Sequence, residues 1–325
     1  AVKYFILGAL ASGLLLYGMS MLYGATGSLF ISGVAESLSG KTANMNIALF
    51  GLVFIVAGIA FKVGAVPFHM WVPDVYQGAP TAVTLLIATA PKFAAFAFIF
   101  RLLVEGMGEG RMMIEWRQML LLLGVMSIGL GNLVAIAQTN IKRMLAYSTM
   151  AHMGFVLLGF STGLTSGIAA SMFYVSTYVL AALGAFGMIL FLSRRGFESD
   201  EINDFKGLSR TSPWLAFTML LIMFSMAGIP PTIGFWAKLS ILQGVVETGF
   251  VGVAVFAVIM SLVGAFYYLR IIKLMFFDEL GNNKVVNENN GPTLLLSLNG
   301  GAMLALGLLP GLLLAFFERI IKLSL

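Results

Sequence analysis

The chain has 325 residues, 59% of them hydrophobic and 10% charged, with a net charge of +5 and a mean hydropathy of +0.97. A soluble domain carries about 25% charged residues, so most of this surface must face lipid, and the positive charge reads as loop charge that sets orientation rather than a nucleic-acid site. There is no cysteine, and the two histidines, His69 and His152, lie far apart, which excludes disulfides, thiolate metal sites, iron–sulfur ligation and cysteine nucleophiles and leaves no expected metal or haem site.

Ala1 leads directly into YFILGALASG without a charged n-region or cleavage site. The opening segment therefore reads as a membrane span of a longer protein, not as a signal peptide. A span takes about 20 apolar residues. That measure predicts an all-α polytopic membrane protein with about nine spans, near 4–25, 46–77, 81–104, 118–137, 141–161, 166–192, 212–246, 250–276 and 293–316. The segments 26–45, 105–117, 193–211 and 277–292 read as loops, and EWRQ at 115–118 as a solvated helix start. No connection is long enough for a soluble domain, so 1–325 forms a single membrane domain.

The second and seventh spans are too long and are interrupted. The second holds Pro67 and Pro73 in VGAVPFHMWVPD, and the seventh holds Gly228, Pro230 and Pro231 in SMAGIPPTIGFW. Proline removes a backbone donor and clashes with the preceding turn, so both are predicted to be broken helices. Such backbone survives at membrane depth only when buried in protein or lining a wet cavity. Two breaks in one chain point to an ion site between structural repeats. Asp74, beside Gly78 and Pro80, reads as a cap or turn former.

Threading nine spans places Lys3, Lys142, Arg143, Arg194, Arg195, Lys206, Arg210, Arg270, Lys273 and Lys284 on one side. Lys41, Arg101, Arg111, Arg117, Arg319 and Lys322 fall on the other. The ten-to-six bias makes the first side cytoplasmic and puts the C-terminus outside.

Three lysines remain, Lys62 in GIAFKVGAV, Lys92 in ATAPKFAAF and Lys238 in GFWAKLSIL. A lysine at helix centre costs about 2.5–3.5 kcal/mol on insertion scales. One reading is that they snorkel to the interface; the other is that they face a polar interior and carry protons. Lysine suits proton carriage because burial and neighbouring charge can make it release its proton, which arginine does not do. Glu36, Glu105, Glu247 and Asp278 fall at span ends or in loops, so a carboxylate partner is expected from outside the chain. His69, after Pro67, and His152, in STMAHMGFVL, are candidate relays, since histidine titrates near neutral pH. The alternative for both is a hydrogen bond to a freed carbonyl or a neighbouring helix.

These segments also carry a family resemblance. GIAFKVGAVPFHMWVPDVYQGAPTAV with TAPKFAAF resembles the seventh and eighth helices of the subunit N family of proton-pumping NADH–quinone oxidoreductase, respiratory complex I. NLVAIAQTNIKRMLAYSTMAHMGF resembles that family's ninth-to-tenth helix connection, and MAGIPPTIGFWAKL its broken twelfth helix. The resemblance runs through the whole chain. It matches Lys62, Lys92 and Lys238 to the family's lysines of helices seven, eight and twelve, and His69 to the histidine at the helix-seven break. It implies an inverted five-helix-repeat scaffold in which 1–105 ends the first repeat, 115–278 forms the second, and 293–316 is an extra C-terminal helix. The family has fourteen helices, so about five are missing at the front, including the one whose glutamate partners the helix-seven lysine.

By that resemblance the chain is a proton-translocating subunit of a bacterial inner-membrane complex, bound to other antiporter-like membrane subunits and to lipid. It would hold no cofactor; NADH, FMN, iron–sulfur clusters and quinone are expected elsewhere in the complex. The alternatives are a subunit of a multisubunit sodium/proton antiporter or membrane hydrogenase, and a structural subunit that does not conduct.

Overall fold

A computed structural model describes residues 2–40, 42–193, 198–279 and 290–324; Lys41, Arg194, Arg195 and Lys284, assigned to loops above, lie outside the described residues. In chain order the helices are α1 (Val2–Thr26), α2 (Ile31–Ser39), α3 (Met45–Val63), α4 (Val72–Gly78) and α5 (Thr81–Ile99), which runs into a π turn at Phe100–Glu105. Then follow α6 (Gly110–Ile136), α7 (Ile141–Ser161), α8 (Thr165–Leu192), a 3-10 turn at Ile202–Phe205, and α9 (Leu208–Thr211). The chain continues through α10 (Pro213–Ala227), α11 (Ile233–Glu247), α12 (Val251–Phe276), α13 (Asn290–Leu308) and α14 (Pro310–Ser324). Among the described residues eight helices are long and apolar enough to cross a membrane. The shorter α10 and α11 form the broken seventh span.

Helix α7 is the axis of the bundle. Of its most apolar window 94% is buried, against 22% for α1 and for α13. Enclosed by protein, it carries Ser148, Thr149 and His152 with their polar groups bonded to tyrosines of neighbouring helices. Close crossings depend on glycine, which lets backbones approach without any hydrophobic drive between helices. A β-carbon at Gly51 of α3 would meet the Gly18 carbonyl of α1 at 2.8 Å, and one at Gly154 of α7 would meet the Gly124 carbonyl of α6 at 2.8 Å.

Several expectations are revised. The apolar run 293–316 is two helices, not one, because Pro310 lacks an N–H and opens a new helix after the bend at Leu309. Phe317 and Ile321 of α14 are buried, with Phe317 6.2 Å from Phe173 of α8. The segment 26–45 contains α2, whose Val34 and Leu38 are buried. EWRQ is not a helix start: α6 begins at Gly110, Glu115 pairs with Arg111 at 3.6 Å, and buried Trp116 donates from Nε1 to the Met107 carbonyl at 2.9 Å.

Asp74 caps nothing. It lies in the first turn of α4 and forms ion pairs with Lys3 and, at 3.0 Å, with Arg143. Lys142, threaded to one side from sequence, is 2% exposed and bonds Glu198 at 2.5 Å and the Ala79 carbonyl at 3.2 Å. Glu198 also accepts from Thr81 Oγ1 at 3.2 Å. Consecutive residues of α7 thus hold both ends of α4. Beside them, Ile141 N–H donates to the Asp200 carbonyl at 2.7 Å and Arg270 Nη1 to the Gln138 carbonyl at 3.2 Å. Lys3, Lys142, Arg143 and Arg270, threaded to one side from sequence, therefore share one end of the bundle.

Candidate functional site

The two breaks are built alike. Helix α3 stops because Gly64 takes left-handed backbone (φ 79°), its N–H bonding the Ala60 and Phe61 carbonyls at 3.0 and 3.1 Å. Helix α10 stops at Gly228 (φ 83°), whose N–H bonds Phe224 and Ser225 at 3.0 and 3.1 Å. Glycine reaches this conformation without the steric cost a β-carbon brings. Each break then contains a cis proline peptide, Val66–Pro67 and Pro230–Pro231. A serine supports each: Val66 N–H donates to Ser127 Oγ at 2.9 Å, and Gly234 N–H to Ser225 Oγ at 3.2 Å.

A helix end leaves carbonyls without intrahelical partners and carries the negative end of the macrodipole. At both breaks a lysine fills that need. Lys92, buried in α5, donates from Nζ to the Val63 carbonyl at 3.1 Å, the last residue of α3. Lys238, half-buried in α11, donates to the Ala227 carbonyl at 2.8 Å, the last residue of α10. Each ammonium also lies over an aromatic ring, Lys92 at 5.8 Å from Trp71 and Lys238 at 5.7 Å from Phe155, within cation–π range. The acids absent from the spans are replaced, in part, by helix C-termini and ring faces.

Lys62 differs from both. It is exposed on the chain's surface and, among the described residues, has no polar partner. It borders an open, mostly apolar groove of ≈ 820 Å³ between α1, α3 and α5, walled by Tyr4, Ala11, Leu15, Pro91 and Ala95. His69 lies in the first break, half-buried, with its Nδ1 enclosed and without a hydrogen-bond partner.

His152 is the centre of a network that the sequence did not disclose. Its Nδ1 faces the Tyr174 hydroxyl at 2.8 Å and its Nε2 the Tyr268 hydroxyl at 2.9 Å. The Tyr268 hydroxyl also bonds Ser148, and the Thr149 and Tyr178 hydroxyls are 2.7 Å apart. Tyr267 donates to Asn132 Oδ1 at 3.0 Å. Two cavities of ≈ 10 Å³ each flank the imidazole: one is lined by His152, Tyr174, Tyr178 and Lys238, the other by His152, Asn132, Tyr267 and Lys238. Each has room for about one water. The structure therefore brings His152 and Lys238 together, places Lys92 at the other break, and leaves Lys62 on an outer face. The one sequence signal for the tyrosines was YVSTY, an i, i+4 pair on a single face of α8.

The sequence profile described as NADH:quinone oxidoreductase/Mrp antiporter, TM, matches residues 1–278. The NADH-quinone oxidoreductase subunit N of Thiobacillus denitrificans is 61% identical, over 97% of this chain and 65% of its own length. A chain of the respiratory complex I structure from Thermus thermophilus with bound aureothin superposes with a TM-score of 0.82 at 37% identity, covering 97% of this chain and 67% of that one. A chain of the Mrp complex from Dietzia sp. shares the fold, with a TM-score of 0.84 at 22% identity over 98% of this chain and 66% of that one. The chain spans about two thirds of the length of the curated relatives it matches. With its apolar helices, its two broken helices and this match over most of its length, the chain is an integral membrane protein belonging to the NADH:quinone oxidoreductase/Mrp antiporter membrane family.

Proposed function

We propose that this chain is the proton-translocating part of a membrane subunit of bacterial NADH–quinone oxidoreductase, with Lys62, Lys92, Lys238, His69 and His152 on the proton path. One observation carries the reading. At both breaks a lysine ammonium rests on the last carbonyl of a helix, and Lys238 shares its cavities with a histidine bonded to two tyrosines. A lysine held by a carbonyl and a ring, rather than by a fixed carboxylate, keeps a partner whether or not it is charged, and so can exchange a proton without unfolding its site. The like construction of the two breaks supports a division into repeats ending near 105 and spanning 115–278, with a further C-terminal segment beyond 293.

Oxidation of NADH and reduction of quinone belong to other subunits in this reading, and the chain supplies no redox centre. Its partners are neighbouring antiporter-like membrane subunits. The bacterial cytoplasmic membrane is its location, with the Lys142 end inside and the C-terminus outside. Lys62 receives its carboxylate partner from a helix outside these 325 residues, which also covers the groove beside it; an exposed lysine in lipid would otherwise carry the insertion cost given above.

The test uses the full-length protein in the assembled complex, reconstituted in proteoliposomes. Lys92→Ala and Lys238→Ala should each lower proton pumping and coupled NADH–quinone turnover while the complex assembles. Normal pumping by both variants, and by Lys62→Ala, would overturn the reading. The likeness to an Mrp chain keeps a sodium/proton antiporter subunit as the second reading; purification without redox subunits, and sodium-dependent proton exchange, would favour it.

A further inference from the structure

We propose that His152 is a tautomeric switch, and that Tyr174 and Tyr268 are the positioning residues whose hydroxyls let its N–H rest on either ring nitrogen. The state of the switch decides which of the two cavities beside Lys238 faces a hydroxyl donor. The inference rests on the proton-path reading above. Four buried groups from three helices form one hydrogen-bonded row. Ser148 Oγ meets the Tyr268 hydroxyl, that hydroxyl lies 2.9 Å from His152 Nε2, and His152 Nδ1 lies 2.8 Å from the Tyr174 hydroxyl. Ser148 and His152 stand one turn apart on α7, Tyr174 reaches in from α8 and Tyr268 from α12. Tyr174 lines one of the two cavities, Tyr268 lines the other, and Lys238 lines both.

Counting hydrogens leaves two states. Each hydroxyl has one hydrogen to give, and a neutral imidazole has one N–H and one bare nitrogen. Ser148 is wholly buried, lines neither cavity, and has Tyr268 as its one hydrogen-bond partner among the described residues. A buried hydroxyl without an acceptor is costly, so Ser148 donates to Tyr268 and leaves the Tyr268 hydrogen for another acceptor. In the first state Tyr268 donates to bare Nε2, Nδ1–H donates to Tyr174, and the Tyr174 hydrogen turns into its cavity. In the second state Tyr174 donates to bare Nδ1, Nε2–H donates to Tyr268, and the Tyr268 hydrogen turns into the other cavity. Each cavity has room for about one water as acceptor. The two states make the same bonds, so the row itself favours neither. A change of state by hops takes one hydrogen in at one cavity and releases one at the other, with the Lys238 amine beside both.

The experiment labels the histidine rings isotopically in the full-length protein, assembled in the complex, and reads by solid-state NMR which nitrogen of His152 carries hydrogen. Its signals are those lost in His152→Gln. Wild type should show both tautomers in comparable amounts. Tyr268→Phe leaves Nε2 without a partner. An idle bare nitrogen costs less than an idle N–H, so Nδ1–H should dominate by about ten-fold. Tyr174→Phe should give the reverse, Nε2–H, by the same factor. Opposite tautomers from two equally conservative changes are not what a packing role produces. Each variant, held in one state, should also pump about ten-fold less. One tautomer common to both variants, a doubly protonated ring in wild type, or wild-type pumping by both variants would overturn the switch. Opposite tautomers together with normal pumping by Lys92→Ala and Lys238→Ala would keep the switch and overturn the proton path. A common tautomer with those lysine variants impaired would do the reverse. If one tyrosine variant does not assemble, the other, compared with wild type, decides.

Discussion

Replacing Lys238 by methionine separates what this lysine does for the fold from what it does for transport. The substitution removes the bond to the Ala227 carbonyl and the contact with the Phe155 ring. A hydrogen bond from a charged donor is worth about 1.5–3 kcal/mol, and a cation over a ring about 0.5–2 kcal/mol. Against this, an apolar side chain avoids the insertion cost of a central lysine, about 2.5–3.5 kcal/mol. The terms largely cancel, leaving a net effect between about 1.5 kcal/mol stabilising and about 2.5 kcal/mol destabilising. The complex carrying Lys238→Met should therefore assemble with a melting temperature within a few degrees of wild type. Pumping, measured as the protons delivered to the lumen of proteoliposomes per NADH oxidised, should fall by at least about ten-fold, as expected for loss of a proton-transferring group. Lys238→Arg should also lose transport, since a guanidinium keeps the contacts but holds its proton. Two results would refute the reasoning. Failure of Lys238→Met to assemble would make the lysine a structural cap, and full pumping would remove it from the path.

Three further outcomes follow from the geometry. His152→Phe breaks the contacts with Tyr174 and Tyr268 and should lower pumping by about ten-fold without dissociating the complex, as judged by gel filtration beside the pumping assay. The bond from Lys142, reinforced by its charge, holds the Glu198 carboxyl below its ordinary value of 4.5. Because that folded value is depressed, the pair contributes stability that is present above about pH 4.5 and lost as pH falls through the folded value. Melting of the complex from pH 7 to 4 should show an acid-side loss that Glu198→Gln flattens, and Glu198→Gln should destabilise at pH 7 because it leaves the buried Lys142 ammonium unpaired. These 325 residues contain no cysteine, so orientation can be read by single introduced ones in an otherwise cysteine-free protein. Phe277→Cys, on an exposed residue at the end of α12, should be protected from an impermeant thiol reagent in intact cells, and Leu29→Cys, exposed after α1, should react.

The spans were legible because lipid demands long apolar runs, and the breaks because proline and glycine announce them. What escaped the sequence was set by distant partners. His152 looked like one more polar residue in a helix; its two hydrogen bonds come from residues 22 and 116 positions further along. Lys142 looked like one more charge at a span end because it follows a helix start by one residue, and only the fold brings Glu198 over it. The absence of acids from the spans suggested unpaired lysines, whereas carbonyls freed at Val63 and Ala227 serve as partners that no residue letter reveals. Lys62 read as interior because hydropathy cannot tell a helix face turned to protein from one turned outward.

The lysines at the two breaks are delivered by different routes, and this divides what each can sense. Lys92 reaches Val63 from a separate helix, 29 positions along the chain, whereas Lys238 reaches Ala227 from the second half of the same broken helix, 11 positions away. A sideways slide of α5 against α3 stretches the first contact and leaves the second untouched. A bend between α10 and α11 does the reverse. Lys92 thus responds to displacement between neighbours and Lys238 to flexure within one element, so a push arriving along the membrane plane and a local kink register at separate ammonium groups.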